Sequence, residues 1–336
     1  MSKTVRVRAL ILAPFSDRQL ARLRRHTDVA YESWLDTNRL QDPVDLGARL
    51  ADEDVAFLIV EADFVFDEVF DAAPRLRLVG VCRNALNQVD IVSATAHGVA
   101  VTHAPGRNTN AVAEMTLGLM LSLARRIPQA HAFVAGADWR DPTAGYQRFR
   151  GREIAGATVG VAGFGQIGRE VARKCVALGA RVLAHDPYVP ERQIRALGAR
   201  PSSLAALAKA SDFVTLHVPG SPVTSKLIDA PFLARMHPGA YLVNTSGGGV
   251  VDPVALVAAL ESGGIAGAAL DVFEGQPLPR TSPLLTAPNL ILTPHIGGAT
   301  AETVERHSHM MAAEIERLIA GRPLRHVVNP EYARAR

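Results

Sequence analysis

Short apolar runs alternate with longer amphipathic stretches along the first hundred residues of the chain. This alternation predicts buried β-strands joined by helices, the pattern of a parallel sheet. One helix start is explicit, because Asp42 can cap a helix whose first position is Pro43, and this helix should extend to about Ala51. The predicted strands are Val5–Leu12, Val55–Val60, Leu76–Cys82 and Val99–Thr102.

A second series of apolar runs begins near residue 158. Before it come a turn-rich segment, residues 103–108, and helical patterns over residues 109–126 and 128–136. After it come a helical pattern over residues 301–319 and a short apolar run, Val327–Asn329, which we predict to be a return strand. The strands predicted within the series are Thr158–Ala162, Ala180–Ala184, Phe213–Val218, Ala240–Asn244, Ile265–Leu270 and Leu290–Thr293.

The sequence between the first two strands of this second series predicts a dinucleotide-binding turn. Thr158–Ala162 leads into Gly163-Phe-Gly165-Gln166-Ile167-Gly168, and a helical pattern follows from Arg169 to Leu178. The first glycine permits the tight turn, the second lets the backbone approach a pyrophosphate, and the third lets helix and strand pack closely. The phosphates would then lie at a helix N-terminus.

An acidic residue follows the next predicted strand and favours NAD over NADP. Asp186 comes about 20 residues after the glycine turn, where a ribose hydroxyl would need an acceptor. Its charge would repel a 2′-phosphate, and no arginine follows it until Arg192. We therefore predict an α/β protein with two Rossmann-like parallel-sheet domains. The NAD domain, residues 104–297, is inserted into a flavodoxin-like substrate domain made of residues 1–103 and 298–336.

Composition supports this organisation and narrows the classes of function. The 336 residues are 48% hydrophobic, which suits two domains because single cores rarely grow beyond about 250–300 residues. The net charge is only +3, and the basic residues, all but four of them arginines, are dispersed without a block that would indicate nucleic acid. Charges interrupt the apolar residues near the N-terminus, and the apolar stretch 112–124 is too short to span a bilayer, so we expect a cytoplasmic protein.

The cysteines and histidines do not indicate a metal site. Cys82 and Cys175 both lie in apolar runs, where a small buried thiol is expected. No Cys/His spacing suits zinc. His307 and His309 are two residues apart on a predicted helix, which places them on different faces, so we do not expect them to be ligands.

Seven segments, in this order, resemble the D-2-hydroxyacid dehydrogenase family, which includes phosphoglycerate, glycerate and formate dehydrogenases. The resemblance covers nearly the whole chain. The segments are Pro105–Asn108, the glycine turn, Asp186-Pro187, Leu216–Pro219 with Thr224, Asn244–Asp252, Ala269–Phe273 and Thr293–Gly298. The family resemblance implies cofactor contacts at Gly163, Gly165, Gln166, Ile167, Gly168, Asp186, His217, Pro219, Thr224, Thr245, Ser246, Asp271, His295, Gly297 and Gly298.

The same resemblance identifies a catalytic pair and two departures from the family pattern. Family members use a histidine to exchange the hydroxyl proton, a glutamate beside it, and an arginine that holds the substrate carboxylate. His295 matches the histidine, whereas Gln276 stands at the place of the glutamate and Gly247 at that of the arginine. Gln276 can orient the ring but cannot favour imidazolium by charge. Glycine offers neither the charge nor the two hydrogen bonds of a guanidinium fork.

The loop after the Leu76–Cys82 strand offers a replacement for that arginine. It carries Arg83, Asn84 and Asn87 where the family loop is usually glycine-rich. Our hypothesis is that Arg83 supplies the anion-binding charge at the cleft between the domains, with Asn84 beside it. The alternative is a solvated or helix-capping arginine. The glycines at 247–249 equally leave room for a bulky substrate or one without a carboxylate.

Several further positions carry weaker expectations. Arg107 is a candidate substrate residue, although packing near the domain boundary explains it, His103 and Asn108 equally well. Asp271 matches the family aspartate near the nicotinamide carboxamide. Glu274 could point the same way as Gln276 and replace the lost carboxylate, but a solvent-facing side chain is the simpler expectation.

Together these features predict an NAD-dependent oxidoreductase with an atypical active site. It would move hydride between nicotinamide and a hydroxyl or carbonyl carbon of a small anionic substrate resembling a 2-hydroxy acid, with His295 as base or acid. Two alternatives remain: a non-catalytic NAD-binding regulatory protein, and an enzyme that uses tightly bound NAD transiently for elimination or epimerisation. The family resemblance also implies a homodimer formed through the NAD domain.

Overall fold

A computed structural model describes residues 6–335 of the chain. Its first part alternates strands and helices up to Arg107. The strands are β1 (Arg8–Ile11), β2 (Asp28–Tyr31), β3 (Val55–Val60), β4 (Leu78–Val81) and β5 (Ala100–His103). The helices are α1 (Asp17–Leu23), α2 (Trp34–Thr37), α3 (Pro43–Asp52), α4 (Asp67–Ala72) and α5 (Ile91–Ala96).

The middle of the chain, Asn108–Gly298, forms a second compact unit. Its helices are α6 (Thr109–Ala124), α7 (Ile127–Ala135), α8 (Ala144–Arg148), α9 (Gln166–Ala177), α10 (Glu191–Arg195), α11 (Leu204–Ala210), α12 (Ala230–Leu233) and α13 (Pro253–Glu261), with short 3-10 helices at Gly248–Val250 and Pro283–Leu285. Its strands are β6 (Thr158–Ala162), β7 (Arg181–His185), β8 (Arg200–Pro201), β9 (Phe213–Leu216), β10 (Tyr241–Asn244), β11 (Gly267–Leu270) and β12 (Leu290–Leu292).

From Ala299 onward the chain returns to the first unit. There it forms the long helix α14 (Ala301–Ile319) and a 3-10 helix at Pro330–Arg334. The boundaries between the units thus lie at 107/108 and 298/299. The sequence predicted them at 103/104 and 297/298. Among residues 6–335, no helix combines the length and apolar character that crossing a membrane requires.

Both sheets are parallel, as predicted, and each has a familiar strand order. The first unit has the order β2-β1-β3-β4-β5, which is the flavodoxin-like arrangement. The second has β12-β11-β10-β9-β6-β7-β8, the Rossmann order extended by one strand. Helices cover both faces of each sheet, so a central strand such as β3 is buried along its whole length. The predicted fold class is confirmed.

Local signals account for most element boundaries. The Asp42 carboxylate accepts a hydrogen bond from the Val44 amide at 2.9 Å, so α3 begins at Pro43 as predicted. Strand β2 was not predicted, because it lies at the sheet edge, its residues are exposed or only partly buried, and only the three apolar residues Val29–Tyr31 mark it in the sequence.

The predicted return strand Val327–Asn329 is wrong. Val327 makes only an isolated antiparallel bridge with Thr102. After this bridge, the Asn329 side chain makes hydrogen bonds that a strand backbone would otherwise make. Its amide oxygen accepts from the Val101 amide at 2.8 Å, and its amide nitrogen donates to the Val99 carbonyl at 2.9 Å. Side-chain hydrogen bonds therefore end the pairing after one bridge.

Candidate active site

The three glycines of the turn after β6 have different surroundings. Gly163 has φ +92°, and a Cβ there would overlap the His217 carbonyl group. A Cβ at Gly168 would overlap the Gly163 carbonyl oxygen. At Gly165 a Cβ would meet no atom within 4 Å. Gly163 and Gly168 are thus needed for packing, while Gly165 leaves open space of the kind that a pyrophosphate needs.

Helix α9 begins directly after this open position. Gln166 and Ile167 form its first turn, where backbone N–H groups have no partner within the helix. The Gln166 side chain accepts from the Thr109 hydroxyl at 3.3 Å, whereas Ile167 packs against the core. The arrangement fits a dinucleotide with its phosphates at the start of α9.

Asp186 follows β7 and borders a cavity of about 280 Å³. Its carboxylate accepts hydrogen bonds from the amides of Phe164 at 2.7 Å and Tyr188 at 2.9 Å. The carboxylate is thereby held beside the glycine turn. The remaining lining includes Ala184, Val189, Ile194, Pro201 and Ser203.

His217 lies under the glycine turn as a neutral ring. Burial lowers the pKa of His217 to about 3. Its Nε2 is 2.9 Å from the Thr215 hydroxyl, while its buried Nδ1 has no hydrogen-bond partner among residues 6–335. Beyond it, the Thr224 hydroxyl donates to the Pro219 carbonyl at 2.5 Å and closes the loop between these two residues.

A buried carboxylate holds the loop that carries His295. Asp271, at the end of β11, accepts from the Thr293 hydroxyl at 2.6 Å and from the amides of Ile296 at 2.9 Å and Gly297 at 2.7 Å. His295 itself has φ +56°, a left-handed conformation uncommon outside glycine. Asp271 therefore stabilises this conformation, a role that the sequence did not reveal.

His295 and Gln276 are in direct contact. The His295 Nδ1 is 2.8 Å from the Gln276 Oε1, and the Gln276 Nε2 donates to the Phe273 carbonyl at 3.2 Å. Because that carbonyl can only accept, the amide nitrogen of Gln276 must face it, so the amide oxygen faces the ring. Assigned from this hydrogen-bond network, the proton of the neutral ring lies on Nδ1, and the lone pair of Nε2 is free. Glu274 is exposed and makes no hydrogen bond or ion pair with His295.

The segment after β10 has no side chain at position 247. The Asn244 side chain donates to the Gly247 carbonyl at 2.9 Å and accepts from the Ser246 amide at 3.0 Å. Thr245 is buried, with its hydroxyl 2.9 Å from that of Thr116. A Cβ at Gly247 would lie 2.9 Å from the Gly220 nitrogen, so backbone already occupies the space beside it.

The carboxyl ends of the parallel strands bring these segments to one edge of the second sheet. Every predicted cofactor residue and the catalytic pair follow strands of this sheet or lie in the loops that leave it. The segments follow β6, β7, β9, β10, β11 and β12 and carry Gly163, Asp186, His217, Thr245, Asp271 and His295. Open α/β sheets bind ligands at this edge.

Three of the four candidate substrate residues, Arg83, Asn84 and Arg107, lie in the first unit, whereas Gly247 lies in the second. Arg83 and Asn84 are exposed after β4, and the Arg83 guanidinium has no hydrogen-bond or ion-pair partner among residues 6–335. Arg107, in contrast, is mostly buried and pairs with Glu61 at 2.6 Å and with the His307 Nδ1 at 2.8 Å. His307 Nε2 in turn lies 2.7 Å from the Pro14 carbonyl oxygen, so His307 serves packing.

The described part of the chain contains two free cysteines and no cluster suited to a metal ion. Cys82 and Cys175 are free buried thiols, as predicted. Burial raises the pKa of Cys82, and it raises that of Cys175 to about 12. Within residues 6–335, no group of three or more His, Cys, Asp or Glu side chains is arranged to hold a metal ion.

Comparison with known proteins gives consistent matches along the chain. Residues 117–297 match the family model described as "D-isomer specific 2-hydroxyacid dehydrogenase, NAD binding domain", which agrees with the predicted cofactor. The chain is 35% identical over 312 residues to D-3-phosphoglycerate dehydrogenase of Methanocaldococcus jannaschii, covering 90% of this chain and 58% of that protein. The chain spans about half the length of the curated relatives it matches.

Solved structures share the fold over nearly the full length. The TT0316 protein of Thermus thermophilus is 33% identical, with a TM-score of 0.82 over 96% of this chain and 100% of that one. D-mandelate dehydrogenase of Rhodotorula graminis is 27% identical, with a TM-score of 0.80 over 96% of this chain and 97% of that one. The chain therefore belongs to the D-isomer specific 2-hydroxyacid dehydrogenase family.

Proposed function

We propose that this protein is an NAD-dependent oxidoreductase acting on a small anionic substrate with a CH–OH or carbonyl group, similar to a 2-hydroxy acid. The observation that carries the proposal is the contact between His295 and Gln276, at the sheet edge that also carries the glycine turn. This contact leaves the His295 Nε2 as an exposed proton acceptor beside a dinucleotide-binding segment. Relatives named as dehydrogenases support the same class of reaction.

The residues of the second unit have separate roles in this proposal. Gly163 to Gly168 and the start of α9 would hold the pyrophosphate, and Asp186 would accept from a ribose hydroxyl. NAD supplies hydride exchange at C4 of its nicotinamide ring. His295 Nε2 takes the hydroxyl proton when the substrate is oxidised and returns a proton when it is reduced. Asp271 keeps the His295 loop in place through its three hydrogen bonds.

We further propose that Arg83 provides the positive charge that binds the substrate anion. Its guanidinium is exposed and unpaired within the described residues, so it can bind a carboxylate without breaking an existing ion pair. Arg107 is the weaker candidate, because Glu61 already pairs with it at 2.6 Å. The remaining predicted cofactor and substrate contacts stay part of this proposal.

The proposal is tested by a screen of 2-hydroxy and 2-oxo acids with the wild-type protein and the His295→Ala variant. NADH absorbance and mass spectrometry of the substrate are recorded together, and NAD affinity is measured by calorimetry. We expect net NADH turnover in the wild type, its loss in the variant, and NAD affinity within about threefold in both, because a general base contributes to the chemical step. Altered substrate without net NADH would instead indicate transient use of bound NAD. Binding alone would indicate a regulatory protein.

We also propose that the protein forms a homodimer through its NAD domain. Large apolar side chains that are 41–74% exposed in the single chain recur along residues 121–146, and they are Leu121, Ile127, Val134, Trp139 and Tyr146. Light scattering after gel filtration should give twice the chain mass for the wild type and a lower mass for Val134→Asp. Val92→Asp, at an exposed valine of the first unit, is the control and should not change the mass.

A further inference from the structure

The three consecutive glycines after β10 are not equivalent. A Cβ at Gly247 would lie 2.9 Å from the Gly220 nitrogen, and one at Gly249 would meet no atom within 4 Å. A Cβ at Gly248 would overlap the carbonyl group of Phe273 and lie 2.5 Å from the Glu274 nitrogen. Among these nearest contacts, those of a Cβ at Gly248 fall on the segment that carries Gln276.

The backbone contact at Gly248 leads directly to the catalytic histidine. The Phe273 carbonyl accepts from the Gln276 Nε2 at 3.2 Å, and the Gln276 Oε1 lies 2.8 Å from the His295 Nδ1. A glutamine amide has a donor end and an acceptor end, and either end can face the ring. The Phe273 carbonyl oxygen can only accept a hydrogen bond, so it binds the amide nitrogen of Gln276 and leaves the amide oxygen facing the His295 ring.

We propose that Gly248 is a positioning residue for His295, acting through the Phe273 carbonyl and the Gln276 amide. This inference rests on the proposed function, since it concerns the same histidine. Glycine at 248 lets the two backbones approach closely, which keeps the Phe273 carbonyl aimed at the Gln276 nitrogen. The Gln276 oxygen then requires a proton on Nδ1, so Nε2 stays free to accept the substrate proton.

A side chain at position 248 should disrupt the hydrogen bonds that orient Gln276 toward His295. To relieve the overlap, the Phe273–Glu274 peptide must move, because backbone atoms cannot rotate away as a long side chain can. Gln276 then loses its anchor and can turn its nitrogen toward the ring. In that orientation Nδ1 becomes the acceptor and the proton moves to Nε2, which can no longer act as a base in the neutral ring.

The first test compares Gly248→Ala with Gly249→Ala, both alone and combined with Gln276→Glu. A carboxylate can only accept, so it keeps the proton on Nδ1 whichever oxygen faces the ring. With Gln276 present, we expect Gly248→Ala to lower kcat for substrate oxidation by about 10-fold or more, as a partial loss of the roughly 100- to 10,000-fold that a general base contributes. In the Gln276→Glu background the same substitution should cost less than about threefold. Any change in kcat caused by Gly249→Ala should be equal in both backgrounds, because position 249 does not contact the Phe273 carbonyl.

A purely structural role for Gly248 would make the loss equal in both backgrounds, and that result would overturn the proposal. The second test needs no turnover: ¹⁵N NMR of labelled histidines, with His295 assigned by its loss in His295→Gln. Wild type and Gly249→Ala should show the Nδ1–H form, and Gly248→Ala a raised fraction of the Nε2–H form. A predominant Nε2–H form in the wild type refutes the inference, even if Gly248→Ala does not fold.

The two tests also separate this inference from the proposed function. If no substrate is turned over but the tautomers behave as expected, the oxidoreductase assignment fails and the positioning role stands. If turnover is found and Gly248→Ala leaves the tautomer unchanged, the oxidoreductase assignment stands and the positioning role is refuted.

Discussion

Acidification below pH 6.5 should destabilise this protein through His217. Burial lowers the pKa of His217 to about 3, against 6.5 for the unperturbed side chain. Between about pH 6.5 and pH 3, His217 is therefore protonated in the unfolded chain and neutral in the folded chain. The stabilisation is present in full above pH 6.5 and is lost progressively as the pH falls from 6.5 toward 3.

The size of the effect follows from this difference. At pH 5.0 the unfolded histidine is almost fully protonated and the folded one is not, which lowers the free energy of unfolding by about 2 kcal/mol relative to pH 7.5. His307 adds to the effect in the same direction, because burial also lowers its pKa. The His217 contribution is isolated by comparing the wild type with His217→Gln, in which the other titrating groups are unchanged.

Urea unfolding at pH 7.5 and 5.0 measures this difference. The wild type should lose about 2 kcal/mol more than His217→Gln between the two pH values. His131→Gln, at an exposed histidine on α7, is the control and should retain the wild-type pH dependence. Equal losses in the wild type and His217→Gln, or a His217 NMR signal that titrates near pH 6.5, would refute the reasoning.

Three further predictions concern cofactor binding, substrate binding and thermal stability. Gly165→Val should weaken NAD binding at least about 10-fold without a large change in Tm, because the valine side chain enters the open space that the pyrophosphate needs. Gly145→Ala, at another glycine with open space beside it, is the control and should leave the affinity for NAD unchanged. Calorimetry measures NAD affinity in both variants. Arg83→Ala should raise KM for an anionic substrate about 10-fold or more with little change in kcat, as expected for a lost charge-assisted pair, and an unchanged KM would remove Arg83 from the site. Gly247→Arg should lower the Tm in a thermal melt by several degrees, because its Cβ would overlap the Gly220 backbone. An unchanged Tm would show that this loop can move to accommodate a side chain without loss of stability.

Much of the fold was predictable because local sequence carries the signal. Val55–Val60 is a continuous apolar run and Thr158–Ala162 a largely apolar one, and the structure has strands at these residues. Helix α14 likewise has the bounds read from its spacing. Strand β2 and the segment around Asn329 were misjudged, because edge pairing and side-chain hydrogen bonds to distant backbone leave no local pattern.

The sequence by itself determined the α/β class, the glycine turn, the acid after β7 and the identity of the candidate histidine and glutamine. The first three depend on residue type and spacing along the chain, whereas the histidine and the glutamine were identified by the resemblance of their segments to the family. Only the tertiary structure decided that the Gln276 amide faces His295 with its oxygen, that Asp271 holds the His295 loop, and that Gly248 lies against Phe273. These are contacts between backbone carbonyls, amides and side chains from different strand ends. A carbonyl group is common to every residue, so its partner is fixed only when the folded strands bring the segments together.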